Sequence, residues 1–371
     1  MKALKLSLTD FRNYERQDIE FGDGVNIIFG DNAQGKTNIL EAVYFFAMGK
    51  SNRARRDAEL IRHGAPRAEI SLEFKDSVKT NLLTAEIYRD KRKKISINEI
   101  PIRKNSELVR RFNVVYFGPE YLSLVKDGPA MRRRGIDILI SQIKPGYLGA
   151  LGELRKIIES KNALLRMEHP NITMLDIMDE KLAEISANII LCRALYISRL
   201  ERLAQAIQSD ISDGAENLEM RYNCCIGDVS GLDTAGICTA VKNKVSESRT
   251  REIRLHESVI GPHREDIGFY INDKEARLYA SQGQQKTIVM SQKLAEVELI
   301  KAETGEKAVL LLDDIMSELD RRRRDYILRH IRDTQIMITC TDTDGTEVPD
   351  DAVRIKVENG RAERTDCSAE P

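Results

Sequence analysis

The sequence predicts an α/β fold: a nucleotide-binding head, built on a mixed sheet with an antiparallel meander and split in sequence by an inserted helical arm. Three observations carry this prediction. Gly30-Asp31-Asn32-Ala33-Gln34-Gly35-Lys36-Thr37 has the spacing of a P-loop. It lies between a short apolar, β-branched run, Val25 to Phe29, and a helix-like apolar stretch, Asn38 to Phe46. Far downstream, Val309 to Leu312 is a second apolar run that ends in Asp313 and Asp314. Between them, from about residue 120 to 257, strand alternation gives way to helical periodicity.

The P-loop residues are the types that phosphate chemistry demands. Gly30 and Gly35 let the backbone bend tightly, so that the N–H groups of Asp31, Asn32, Ala33 and Gln34 turn inward at a helix N-terminus. Lys36 reaches the β- and γ-phosphates, and Thr37 offers a hydroxyl to Mg²⁺.

Composition limits the rest. The 371 residues suit about two domains. Fifty-eight Lys and Arg nearly cancel 59 Asp and Glu, leaving a net charge of -1. Any polyanion surface is therefore a local basic patch, not a property of the whole chain. Trp is absent and aromatics are few, which argues against a stacking platform for single-stranded bases. The six cysteines contain no Cys-x-x-Cys pair, so a zinc site is not expected, and their scatter suits a reducing cytoplasm. No apolar run is long enough for a bilayer, and no membrane association is expected.

In chain order, Leu4, Leu6 and Leu8 alternate as a half-buried strand, and Phe11-Arg12-Asn13-Tyr14 is a turn. The P-loop strand and helix follow, then a basic stretch containing Arg53, Arg55 and Arg56. Ile70 to Phe74, Leu82 to Tyr88 and Ile95 to Asn98 read as an antiparallel meander with a charged hairpin at Arg89 to Lys94. Val114 to Phe117 is a buried strand closed by Gly118-Pro119. The arm, 120–257, begins near the basic Met131-Arg132-Arg133-Arg134. It holds two long helices separated at His169-Pro170-Asn171, with a small cap from Arg221 to Val245. Strand character at Ile267 to Ile271 marks the return to the head, assigned 1–119 plus 258–371. The polar tail beyond Asn359 reads as loose.

The second half of the site follows the Walker B pattern. The apolar strand lies beside the P-loop strand and delivers Asp313 to the metal, and Asp314 sits where a general base orients water. Ser281-Gln282-Gly283-Gln284-Gln285 precedes a helix that Ser281 can cap, which makes a second anion site. One subunit rarely needs two phosphate cradles for one nucleotide. An arrangement in which this segment of one subunit closes over the P-loop of another accounts for both.

Together these segments resemble bacterial RecF proteins, ABC/SMC-type P-loop ATPases of recombinational DNA repair. The resemblance rests on Phe11 to Tyr14, Gly30 to Thr37, Arg56 to Arg62, Pro119 to Leu122, Gly261-Pro262-His263-Arg264, Ser281 to Gln285 and Leu310 to Asp320. It is weakest in the arm. It implies ATP and Mg²⁺ as cofactors, an ATP-dependent head-to-tail homodimer, and slow hydrolysis. It also implies binding to double-stranded DNA beside a single-stranded gap, and work with RecR and RecO to place RecA. Lys36, Thr37, Asp313, Asp314 and Ser281 take the roles above, Ser281 acting in trans. Arg12 and Asn13 approach the nucleotide from the first loop. The arm is shorter than the coiled coil of chromosome-organising ATPases.

Two departures from the wider ABC pattern stand out. The second acid is Asp314 where Glu is usual, and Cys340-Thr341-Asp342 stands where a switch histidine is usual. Both point to slow turnover. Basic surfaces at Arg53 to Arg67, at Lys91 to Lys94, at Arg132 to Arg134, and at Arg321 to Arg324 compete for DNA, with Arg53, Arg55, Arg56, Arg132 and Arg133 as the residues singled out. A transporter ATPase subunit and a P-loop kinase are the other readings of a lone P-loop. The former fits the missing histidine poorly, and the latter leaves Ser281 to Gln285 without a purpose.

Overall fold

The computed structural model describes residues 1–330, 333–341, 349 and 351–365. The chain divides into two compact units, Met1–Leu122 with Val289–Pro371, and Ser123–Ile288. The first is the head. Its antiparallel sheet runs in the order Tyr14–Glu20, Lys2–Phe11, Arg67–Lys75, Thr80–Tyr88, Lys94–Ile97, Ile100–Ile102. Alternation dictates this sheet. Leu6 pairs with Leu72 and Leu8 with Ile70, and all four are buried while their neighbours face outward.

The second head sheet carries the site. Its order is Arg361–Arg364, Val353–Glu358, Val25–Phe29, Ile336–Cys340, Val309–Asp313, Val114–Phe117. All neighbours are parallel except the first pair. The near-continuous apolar runs reflect burial on both faces, as parallel strands require. The Walker B strand is therefore not beside the P-loop strand as expected. Ile336–Cys340 lies between them, pairing Ile338 with Ile27 on one side and with Leu312 on the other. Part of the tail is also ordered, since Arg361–Arg364 pairs back on Val353–Glu358.

The second unit contains helices Pro129–Ile143, Tyr147–Leu165, Ile172–Ile211 and Thr234–Leu255. Asn171 caps the 40-residue third helix through Met174 N–H. A three-stranded antiparallel sheet of Lys274–Glu275, Asp266–Ile271 and Leu218–Asn223 completes the unit. This corrects the expected boundaries. Ile267 to Ile271 does not return to the head, because its backbone pairs with Leu218–Asn223. The division falls at 122/123 and 288/289, not at 119/120 and 257/258.

Lys161 ties three arm helices together. Its ammonium, wholly buried, contacts Asp179 at 2.5 Å and Glu252 at 2.6 Å. Removing the cation leaves buried Glu252 without its counter-charge and Asp179 with Arg249 alone. Lys161→Met, which keeps the volume, is therefore expected to destabilise the chain by ~3–5 kcal/mol in denaturant unfolding. A loss below ~1 kcal/mol would show that Arg249, which also pairs with Asp179, compensates.

Candidate nucleotide and DNA site

The P-loop is held from three sides. Gly35 caps the helix Lys36–Met48 at φ 118°, and a Cβ there would lie 2.6 Å from the Asn13 amide and 2.8 Å from the Tyr14 hydroxyl. Gly30 has φ 144°, and a Cβ there would collide with the Val357 carbonyl. Both positions demand glycine by conformation and by space. Asn13 donates to Gln34 O at 2.7 Å and accepts from Asn38 Nδ2 at 2.8 Å, so the first loop braces the P-loop directly. Gln34 Oε1 accepts the Asn359 N–H at 2.6 Å. Asp31, Asn32 and Ala33 are exposed along the arch. Lys36 is buried, with Nζ 2.5 Å from Gly30 O and 2.8 Å from Asp31 O, which sets its ammonium inside the loop.

Asp313 is the convergence point. Its Oδ1 accepts from the Thr37 hydroxyl at 2.9 Å and the Thr339 hydroxyl at 2.8 Å. Its Oδ2 accepts from Tyr116 at 2.8 Å. Burial, and then the charge of Asp313, push the Tyr116 phenol far above its ordinary range, so it remains a donor. The Thr37 hydroxyl and Asp313 form an all-oxygen donor set beside a phosphate cradle, which suits Mg²⁺. Thr37 would hold the ion directly and Asp313 through water, supplying charge neutralisation to the phosphates.

Asp314 sits one residue on, half-buried, with φ 55°. Its N–H donates to the Thr339 hydroxyl at 2.8 Å, so one threonine orients both acids. Asp tolerates this left-handed backbone better than a longer side chain does. A further carboxylate, Glu120, is raised above its usual range mainly by burial, with the charge of Asp313 adding to the effect.

Arg12, expected at the nucleotide, is engaged by the P-loop helix in this structure. Its guanidinium forks onto buried Glu41 of the P-loop helix, at 2.8 and 2.7 Å. Glu41 also accepts from the Ser51 hydroxyl. Ser51 in turn caps the backbone of Arg53 at 2.9 Å and of Ala54 at 2.8 Å. This chain links the first loop to the exposed arginines Arg53, Arg55 and Arg56. Tyr116, Thr339 and Glu41 escaped the sequence reading. Their only signal is a lone polar group inside an apolar run.

The expectation for Arg132 is corrected. It is buried, forked on Asp266 at 2.7 and 2.9 Å, and spends Nη1 on the carbonyls of Leu124 and Asp127. Arg133 donates to Glu265 O at 2.5 Å. Both build the arm; Arg132 presents no charge to a phosphate backbone. His263 also braces the arm, against Ser258 O at 3.1 Å, and burial lowers it to about 4.

In the second unit, Ser281 caps the helix Gln282–Thr304 reciprocally. Its hydroxyl accepts the Gln284 N–H at 3.2 Å, and Gln284 Oε1 accepts the Ser281 N–H at 2.9 Å. Ser281 and Gln282 are exposed, and Gly283 and Gln284 are half-exposed. Leu278 and Tyr279, immediately before the cap, are 67% and 71% exposed. The switch-histidine position begins at Cys340 at the end of its strand, and Asp342 lies outside the described residues.

A P-loop on a parallel sheet, a Walker B acid bonded to the P-loop threonine, and an antiparallel meander define an ABC/SMC-type ATPase head. The comparisons agree. The family model for the RecF/RecN/SMC N terminal domain matches residues 3–363. The DNA replication and repair protein RecF of Clostridium perfringens is 40% identical over 363 residues, covering 97% of this chain and 99% of that protein. A structure of the recombination mediator protein RecF with ATPrS, in the RecFOR pathway, superposes with a TM-score of 0.92 at 34% identity, covering 98% and 97% of the two chains. The Smc head domain of Pyrococcus furiosus, at 16% identity and a TM-score of 0.56, shares the fold across 98% of this chain and 96% of that one. The chain belongs to the RecF family. Among the described residues, no helix is long and apolar enough to cross a membrane.

Proposed function

We propose that this protein is an ATP-gated DNA-binding protein of recombinational repair, whose slow hydrolysis resets a closed homodimer. The observation that carries the reading is the Thr37–Asp313 bond, which couples a phosphate cradle to a metal acid. ATP with Mg²⁺ occupies that cradle, as the solved relatives with ATP and ATPrS suggest. Ser281 of one copy closes over the γ-phosphate bound by the other. The exposed Leu278 and Tyr279 support this, because a second copy would cover apolar surface that solvent now meets. The γ-phosphate favours the closed state because only that state touches it from both sides.

DNA binds through Arg53, Arg55 and Arg56, whose loop Ser51 and Glu41 connect to the first loop beside the P-loop. Gapped or junction duplexes are the preferred class. RecR and RecO are the partners through which RecA is placed, as the RecFOR pathway of the solved relative suggests, and the cytoplasm is the compartment. The test is binding to a gapped duplex across a salt series, with and without ATP–Mg²⁺. ATP is expected to tighten binding. Replacing the three arginines with Ala is expected to reduce the slope of log K against log salt by roughly 2–3. An unchanged slope places DNA elsewhere. Equal binding with and without ATP removes the gating.

A further inference from the structure

Cys224, Cys225 and Glu265 meet in a cluster that the nucleotide chemistry leaves unused. Strand register explains the meeting. The ladder between Leu218–Asn223 and Asp266–Ile271 places Asn223 opposite Asp266. One step further along the same register sets Cys224 across from Glu265. There the chain turns, with the Gly227 N–H donating to Cys224 O at 3.1 Å, and Cys225 enters the turn beside its neighbour. One Sγ from each cysteine and a Glu265 oxygen all lie within 4.8 Å of one another.

The two oxygens of Glu265 are divided in role. Oε2 accepts from Arg193 Nη1 at 2.9 Å and from the Tyr222 hydroxyl. Oε1 faces the cysteines, accepting from Cys224 Sγ at 3.1 Å and from the Cys225 N–H at 3.4 Å. Glu265 is 2% exposed, whereas both thiols are half-exposed. A carboxylate with one oxygen fixed from behind and the other turned toward two sulfurs is a pre-oriented metal ligand.

We propose that Cys224, Cys225 and Glu265 bind one Zn²⁺, with water completing a tetrahedral shell. Two sulfurs select a borderline-soft ion and disfavour Mg²⁺ and Ca²⁺, which take oxygen ligands. On binding, each S–H bond breaks, each sulfur gives its electron pair to the metal, and both protons pass to solvent. Glu265 Oε1 exchanges its thiol hydrogen bond for the ion. Arg193, on the helix Ile172–Ile211, also holds Asp137 and the Pro262 carbonyl. The ion would therefore fasten the end of the small sheet to the helical core of the arm.

The test uses the full chain, reduced and freed of metal with a chelator, and Co²⁺ as the spectroscopic probe. One equivalent of Co²⁺ is expected to give sulfur-to-cobalt charge-transfer absorption that Zn²⁺ abolishes. Cys224→Ser and Cys225→Ser are each expected to weaken binding at least ~10-fold, while Cys238→Ser leaves it unchanged. Saturating Zn²⁺ is expected to raise the melting temperature by at least ~2 °C in the wild type and not in either serine variant. The metal-dependent increment is the readout, so a variant that melts lower at the outset still reports. Absence of the absorption at one equivalent, or its survival in both serine variants, overturns the proposal.

Discussion

Asp314→Asn is expected to slow single-turnover ATP hydrolysis by ~10²–10⁴-fold while leaving ATP affinity within a few-fold of wild type. The substitution is chosen for what it preserves. Asn accepts the left-handed backbone found at φ 55°, and the bond from the residue's N–H to Thr339 does not involve the side chain. The metal acid Asp313 keeps its three hydroxyl donors. If Asp314 is the base proposed above, only the proton acceptor is lost. Rapid-quench measurement of phosphate release, paired with equilibrium nucleotide binding, separates the two quantities. A rate within twofold of wild type would exclude Asp314 as the base and turn attention to Glu120, the next carboxylate near Asp313. The companion variant Asp314→Glu asks why this chain carries the shorter acid. The longer arm reaches further, but a Glu at positive φ costs ~1–2 kcal/mol in stability.

What could be read from the sequence followed from how locally each feature is encoded. The P-loop was legible because phosphate binding fixes residue types at contiguous positions, and Gly30 and Gly35 indeed occupy conformations closed to other residues. The acids after an apolar strand were legible for the same reason. Sheet order was not. Nothing in Gln335 to Thr339 announces that this strand separates the P-loop and Walker B strands, so Thr339 and Tyr116 could not be seen converging on Asp313. Alternation at Ile267 to Ile271 identified a strand but not its partner, and the domain boundary moved with that partner. Arg132 failed differently. Charge suggested a surface, yet Asp266, 134 residues away, takes the charge into the interior. The pairing of Cys224 with Glu265 is equally non-local and arises only from register.

Ser281→Arg is expected to abolish ATP-dependent dimers while the monomer still binds ATP. Ser281 lies outside the P-loop, and its cap is a local exchange with Gln284, so the substitution costs at most ~0.5–2 kcal/mol of helix stability. At a closed interface the consequence is far larger. In the proposed dimer the arginine would force a long side chain into the space of the γ-phosphate and its capping N–H groups. A steric block of that kind is expected to weaken the dimer by at least ~10²-fold, a loss of ~2.7 kcal/mol. Mass measured in solution, with and without ATP–Mg²⁺, reads the effect directly, and Leu278→Ala/Tyr279→Ala serves as an independent probe of the same face. If the apolar pair is covered on closure, that variant also weakens the ATP dimer, but without touching the nucleotide. Dimers indifferent to Ser281 would confine the γ-phosphate to contacts within one copy. The second anion cap would then be a helix terminus and nothing more, and hydrolysis would proceed in each copy alone.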